Sequence, residues 1–333
     1  MAQLSSLTVT SSFDWNATTE NTSSAGYMWF NDGKFNISRN AGVWSTGPNM
    51  ICGRSSAGGL KGSGAQNAAL SFGGIVPPPN PYNGNRSDLT EEYDGSSWSA
   101  GSVLPLGIWV VGGAGTQNAA LSVGGETPSS PTFRTETSEY DGSSWSAGGS
   151  LINGRGRGAA AGFQNSGITW GGRNPSISIL IACTEEYDGS SWSTGGALGG
   201  GARYHAGTGT QNATLSAGGQ HCVPPSTQTI GFTLEYNGTS WSSGNCQIHS
   251  RQYAGSLGGN QSEAVFAKGR IGPTCSALTE GWDGITWSSQ NTANLAINSH
   301  TGAGSSSGLI VHGNNQCTTA TELYTSQLHA KSL

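Results

Sequence analysis

Charge is what this sequence has least of: 10% of its 333 residues are Asp, Glu, Lys or Arg, with 14 Lys+Arg against 19 Asp+Glu for a net charge of -5. So small a basic complement gives no positive face for a polyphosphate, and nucleic acid is not an expected partner. Long apolar runs are missing as well. None approaches the roughly 18 residues of a membrane-spanning helix, so membrane insertion is not expected. The opening Met1-Ala2-Gln3-Leu4-Ser5-Ser6 lacks the basic and apolar regions of a signal peptide, and the sequence reads as soluble and not exported by the general secretory route. No CxxC or HxxxH spacing occurs, and the six histidines show no grouping, so no metal and no cofactor is expected.

Glycine, by contrast, is abundant, with 54 copies, and 11 Trp, 9 Tyr and 8 Phe supply aromatic mass that must be buried. A disordered chain would be poor in such rings. Thr90-Glu91-Glu92-Tyr93-Asp94-Gly95-Ser96-Ser97-Trp98-Ser99-Ala100-Gly101 returns almost letter for letter at 137–148 and 184–195, and decays at 233–244 and 279–290. A second block, Gln66-Asn67-Ala68-Ala69-Leu70-Ser71-Phe72-Gly73-Gly74, recurs at 117–125 and 211–219. The Trp of each Trp-Ser motif stands at 44, 98, 145, 192, 241 and 287. Repeats near this length mean stacked or radial architectures.

Asp-Gly flanked by Thr/Glu/Tyr and Ser/Trp runs marks a hairpin in each unit. Because side chains alternate along a strand, Tyr93 and Trp98 fall on one face of that hairpin, and the aromatics should form a buried layer between neighbouring sheets. Another turn at Gly64-Ala65-Gln66-Asn67 leads into a strand ending in Gly-Gly. Four strands per unit is the geometry of a propeller blade.

Gly-Gly closing the second strand, a variable loop, Tyr-Asp, and Trp about five residues on resembles the kelch repeat, over roughly residues 42 to 325. The narrower wording, Thr-Glu-Glu-Tyr-Asp-Gly-Ser-Ser-Trp-Ser-Ala-Gly with Gly-Thr-Gln-Asn-Ala-Ala-Leu-Ser-Val-Gly-Gly, is similar to repeats in virion proteins of marine bacteriophages, particularly phages of cyanobacteria. That similarity implies a virion location after assembly in the host cytoplasm, other virion proteins as partners, and a homo-oligomer as one form of attachment.

The expected fold is all-β: a six-bladed propeller of four-stranded antiparallel blades. The last unit lacks a Trp strand, and the first Trp-Ser motif, at Trp44-Ser45, lacks the strands before it. The strand around Gly42 to Ser45 should therefore complete the C-terminal blade and close the ring, which removes open edges. The organisation this implies is residues 1–40 as an anchoring arm or extra hairpin, 41–326 as propeller and 327–333 as a tail. Phe30-Asn31-Asp32-Gly33-Lys34-Phe35 echoes the hairpin motif.

In such a blade, turns one-to-two and three-to-four share one side of the disc, and the two-to-three loops share the other with the blade connections. The turns are nearly uniform, as a structural role requires. The two-to-three loops, 75–89, 126–136, 173–183, 220–232, 270–278 and 314–320, have little in common. Diversified loops on a rigid scaffold are a common way to build a binding surface. Tyr82, Asn83, Phe133, Arg134, Arg173, Asn174 and His221 supply ring faces and polar donors suited to a glycan, and equally to a protein interface.

All six cysteines fall on this loop side, and topology suggests two pairs, Cys222 with Cys246 and Cys317 with Cys52. Free thiols are the alternative in a reducing cytoplasm. Catalysis is not expected. The copper site of galactose-oxidase-like propellers needs a Tyr/His grouping that is missing, and Asp94-Gly95 and its repeats lack the spacing of a sialidase Asp-box. An arginine triad could be assembled on paper from among Arg54, Arg155, Arg203 and Arg251, but without a placed acid and nucleophile it is not a mechanism. Glu92, Glu139, Glu186 and Glu235 occupy equivalent blade positions, which favours structure over paired acid–base chemistry. Three readings follow: a virion protein on the tail or a tail fibre that binds a host-surface glycan or protein receptor, an architectural virion component, and a carbohydrate-active enzyme.

Overall fold

A computed structural model describes residues 28–31, 34–37, 42–60, 65–76, 87–109, 112–127, 132–174, 176, 180–223, 226–298, 301–304, 308–311 and 318–325. Met1–Val43 with Thr325–Leu333 form one unit and Trp44–Tyr324 another. In the first, Met28–Asn31 and Lys34–Ile37 pair antiparallel, with Asn31 opposite Lys34.

The second unit contains six four-stranded antiparallel sheets among the described residues. Blade 1 is Gly58–Gly59, Ala69–Phe72, Thr90–Tyr93 and Trp98–Ala100, and blade 2 is Gly112–Thr116, Ala119–Val123, Thr137–Tyr140 and Trp145–Ala147. Blade 3 runs through Ala159–Phe163, Ser166–Trp170, Thr184–Tyr187 and Trp192–Gly195, and blade 4 through Ala206–Thr210, Ala213–Ala217, Thr233–Tyr236 and Trp241–Gly244. Blade 5 follows at Gly255–Asn260, Glu263–Ala267, Thr279–Trp282 and Trp287–Gln290. Blade 6 takes three strands from the C-terminal part, Thr301–Gly304, Gly308–Val311 and Thr321–Thr325, and its fourth from Val43–Thr46. The ring is a six-bladed propeller closed by the N-terminal strand, as the missing Trp strand implies. First strands of successive blades pack side by side, and that of blade 6 packs on that of blade 1.

This inner packing explains the glycine. A Cβ on Gly113 would stand 2.4 Å from the carbonyl oxygen of Gly59, and one on Gly302 would stand 2.4 Å from that of Ser256. No side chain fits where neighbouring blades come this close.

The hairpin motif acts as a coupler between blades. Tyr93 pairs with Trp98 across a four-residue loop, and Asp94 Oδ1 accepts the amides of Ser96 at 2.8 Å and Ser97 at 2.7 Å. The indole N–H of each blade's Trp then reaches back to the Thr that opens the third strand of the preceding blade. Trp145 donates to Thr90 at 2.9 Å, Trp192 to Thr137 at 2.9 Å, Trp241 to Thr184 at 2.9 Å and Trp287 to Thr233 at 2.8 Å. Trp44 donates to Thr279 at 3.1 Å and Trp98 to Thr321 at 3.2 Å, so the circuit passes through the closure. A buried indole N–H needs such an acceptor.

Two further residues per repeat do the same work. Gln117, Gln164, Gln211 and Gln261 each donate to two carbonyls of the preceding blade, Gln211 to Gly167 at 3.0 Å and to Tyr187 at 2.8 Å. Tyr187 and Tyr236 donate their hydroxyls to Glu139 and Glu186, each at 2.6 Å, and Tyr140 donates to Glu92. Burial first, and the carboxylate second, push these three phenols up to about 12.

Candidate functional site

Three of the four arginines that the sequence sets near the axis do not form an open anion site. Arg54, Arg155 and Arg251 are buried and bonded to Glu91, Glu185 and Glu280 of their own blades. Each also donates to carbonyls at the base of its two-to-three loop; Arg155 reaches Gly171 and Cys183, both at 3.0 Å. The glutamates in turn accept amides of the connection, as Glu185 does from Ile152 at 2.7 Å. Blades 1, 3 and 5 carry this clamp. At the equivalent places blades 2 and 4 have Ile108 with Ser138 and Ala202 with Leu234, so both partners change together. Blade 6 keeps Glu322 but has Ile297 at the arginine position, and the missing cation arrives from blade 5 as Lys268. Lys268 stands where the other blades have the first Gly of Gly-Gly, at φ 66°, and its ammonium lies 5.6 Å from the Trp44 ring. Burial lowers its pKa despite the opposing pull of Glu322.

Half-buried rings and guanidinia gather instead at the mouth of the central channel on the loop side. Arg157, Tyr204 and Tyr253 occupy the same register position in blades 3, 4 and 5, all left-handed, with φ of 65°, 58° and 58°. A left-handed residue with a Cβ costs about 1–2 kcal/mol. Cross-blade backbone bonds offset that strain: the Tyr204 amide donates to the Arg157 carbonyl and the Tyr253 amide to that of Tyr204, each at 2.9 Å.

Their side chains run on from Trp109 of blade 2 as one arc. The Arg157 guanidinium lies 5.6 Å from the Trp109 ring and 5.4 Å from the Tyr204 ring. Tyr204 and Tyr253 follow with centroids 4.0 Å apart, and Arg203 sits 4.9 Å from the Tyr204 ring. Arg157 is tied to Glu126 through Nε at 2.6 Å and Nη2 at 3.1 Å, and donates to the Tyr204 hydroxyl. Burial and the Tyr204 hydroxyl hold the Tyr253 phenol well above its ordinary value. Such an arc stacks flat ligand faces and donates planar pairs of hydrogen bonds. The described residues hold no cluster of three His, Cys, Asp or Glu able to bind a metal.

Of the residues chosen from sequence, Phe133 and Arg173 come together, guanidinium 5.9 Å from ring, beside this arc. Glu126, which holds Arg157, bridges to both Trp109 and Phe133 through its backbone. The others have local duties. Arg134 pairs with Glu136, Nε to Oε2 at 2.9 Å. Asn174 is buried and supports its loop, with Nδ2 donating to the Gly154 carbonyl at 2.6 Å and Oδ1 accepting the Ser176 amide at 3.0 Å. His221 is half-buried with Nε2 3.1 Å from the Gly218 carbonyl and its ring edge-on to Phe232, and burial lowers its pKa despite that bond. Tyr82 and Asn83 lie outside the described residues.

The Cys222–Cys246 pairing is not formed. Both are exposed free thiols. Cys222 belongs to a hairpin, Gln220–Val223 with Ser226–Thr229, that pairs with Ala202–Arg203. That hairpin folds onto the connection entering blade 4, with the Cys222 amide on the Gly201 carbonyl, whereas Cys246 lies on the connection leaving it. Cys317 lies outside the described residues, so its pairing with Cys52 is untested.

No family model matches the sequence, and no curated protein matches it. Among solved structures the chain is similar to YjhT, with a TM-score of 0.65 at 14% identity, over 85% of this chain and 99% of YjhT. A likeness at that identity is one of fold.

Proposed function

We propose that this protein is a non-catalytic, kelch-type binding propeller of a bacteriophage virion, borne on the tail or a tail fibre, whose loop face contacts a glycan or protein on the host surface. The observation that carries the binding role is the asymmetry of the disc. On the turn side the same Trp, Gln and Tyr bonds recur from blade to blade, whereas on the loop side blades 2 to 5 contribute three residue types, Trp109, Arg157, Tyr204 and Tyr253, to one arc. The virion location rests on the resemblance of the Thr-Glu-Glu-Tyr-Asp-Gly-Ser-Ser-Trp repeat to marine phage proteins. Purified protein should bind host cells, and replacing loop 75–89 by a short Gly-Ser link, or Tyr204 by Ala, should abolish binding while the fold persists. Product formed from a panel of sugars would overturn the non-catalytic part.

One observation favours the architectural reading. The loop-side connections expose an apolar residue in most blades, Ile51 at 62%, Leu106 at 41%, Ile152 at 55%, Ile248 at 50% and Leu295 at 42%. A ring of such residues suits a broad protein neighbour better than a sugar. Imaging of the particle separates the two, since receptor contact requires the loop face to point outward.

A further inference from the structure

Among the described residues the cations of the propeller are sorted to one of its two sides. Every described lysine and arginine from residue 44 onward lies in a connection or a two-to-three loop, and none lies on the turn side. The turns carry Asp94, Asp141, Asp188 and Asp283. Amide and hydroxyl bonds hold the first three at a pKa of about 2, so they stay ionised. On the loop side six of the cations are paired to carboxylates within the fold.

Three are left over: Arg173, Arg203 and Arg270 have no carboxylate partner among the described residues. All three are backbone neighbours of the residues that carry the arc, and Arg270 donates through Nε to the Gly272 carbonyl at 3.1 Å within its own hairpin. Arg173 and Arg270 directly follow the Gly-Gly position in blades 3 and 5 and bridge to Gly156 and Gln252, one residue before the left-handed Arg157 and Tyr253. Arg203 directly precedes Tyr204 and donates through Nε to Gln220 at 3.0 Å. The Nε of Arg173 is buried without an acceptor. A disc whose turn side is anionic and whose loop side carries unpaired guanidinia draws an anion to one side and repels it from the other.

Building on the loop-face binding reading, we propose that the channel mouth takes an acidic polysaccharide, its carboxylate or sulfate groups held by Arg173, Arg203 and Arg270 and its sugar faces lying along the aromatic arc. A guanidinium meets a carboxylate or sulfate through two parallel N–H bonds, and the rings between the arginines offer faces to pyranose C–H groups. The cations stand on separate blades with rings between them. Cations dispersed over three blades suit a chain with dispersed charges better than a compact polyphosphate.

The test is calorimetric titration of the full chain with oligosaccharides of equal length: a polyuronate, a sulfated galactan and a neutral glucan, with single-stranded oligonucleotide as a fourth arm. The acidic sugars should bind at least about tenfold more tightly than the neutral one, as charge-assisted hydrogen bonds require. Arg203→Ala and Arg203→Gln should each weaken acidic-sugar binding about tenfold, with near-UV circular dichroism unchanged. Raising the salt several-fold from about 0.1 M should weaken it further. Equal affinity for the neutral sugar, tighter binding of the oligonucleotide, or unchanged binding by both variants overturns the proposal. If the protein binds host cells and acidic oligosaccharides neither bind nor compete, the ligand class is wrong and the loop-face reading stands. If neither cells nor sugars bind, both fall.

Discussion

The two sides of the propeller obey different rules although one repeat encodes both. On the turn side Gln117, Gln164, Gln211 and Gln261 make the same pair of bonds to the blade before, and each Trp meets the same Thr. On the loop side the residue after Gly-Gly is Glu126, Arg173, Gln220 or Arg270 depending on the blade. Repetition persists where a side chain must fit its neighbour's copy of itself, and diversity where it faces outward. The buried Arg–Glu clamps lie between these regimes, present in blades 1, 3 and 5 and lost as pairs in blades 2 and 4.

The clamps give the sharpest way to break the comparison. Arg155→Ile alone leaves Glu185 buried without its cation and should destabilise by about 3–5 kcal/mol in urea unfolding. Arg155→Ile with Glu185→Leu, which copies the apolar pattern of blades 2 and 4, should recover most of that loss. No recovery would mean that the alternate blades are not interchangeable. On the turn side Gln211→Ala leaves the Gly167 and Tyr187 carbonyls unbonded and should cost about 1–2 kcal/mol. Trp192→Phe, which removes the bond to Thr137, should cost about 1 kcal/mol.

Tyr140, Tyr187 and Tyr236 test the turn-side layer by pH. Their folded pKa, about 12, lies above the ordinary 10.0, so the folded state holds these protons more tightly than the unfolded one. Their contribution to stability is intact below pH 10 and is lost as the pH rises through 12. Tyrosinate absorbance should show these three groups titrating late, together with Tyr253, and Glu139→Gln should bring Tyr187 down. The smallest effect belongs to the channel mouth. Arg203→Ala should change stability by less than about 0.5 kcal/mol, because its guanidinium braces no buried group.

Blade number and ring closure were legible because turn chemistry and strand alternation repeat in the chain itself. The bonds between blades were not, since Trp145 finds Thr90 55 residues upstream and spacing does not name a partner. Arg54, Arg155 and Arg251 were visible as cations near the axis, but their glutamates were hidden inside the repeated Thr-Glu-Glu-Tyr. The signal that would have revealed the pairs was their joint loss in blades 2 and 4. Arg157, Tyr204 and Tyr253 were not legible as a group because they sit in the short blade connections, far apart in the chain. Aligning the units on Gly-Gly and Trp would have stacked them in one column, next to Trp109.

Closure by Val43–Thr46 also constrains how the protein is made. A ribosome emits that strand more than 270 residues before its partner, Thr321–Thr325, leaves the exit tunnel. Until then Trp44 has no wheel to join, and the nascent chain must either shelter it or keep it from pairing with another copy.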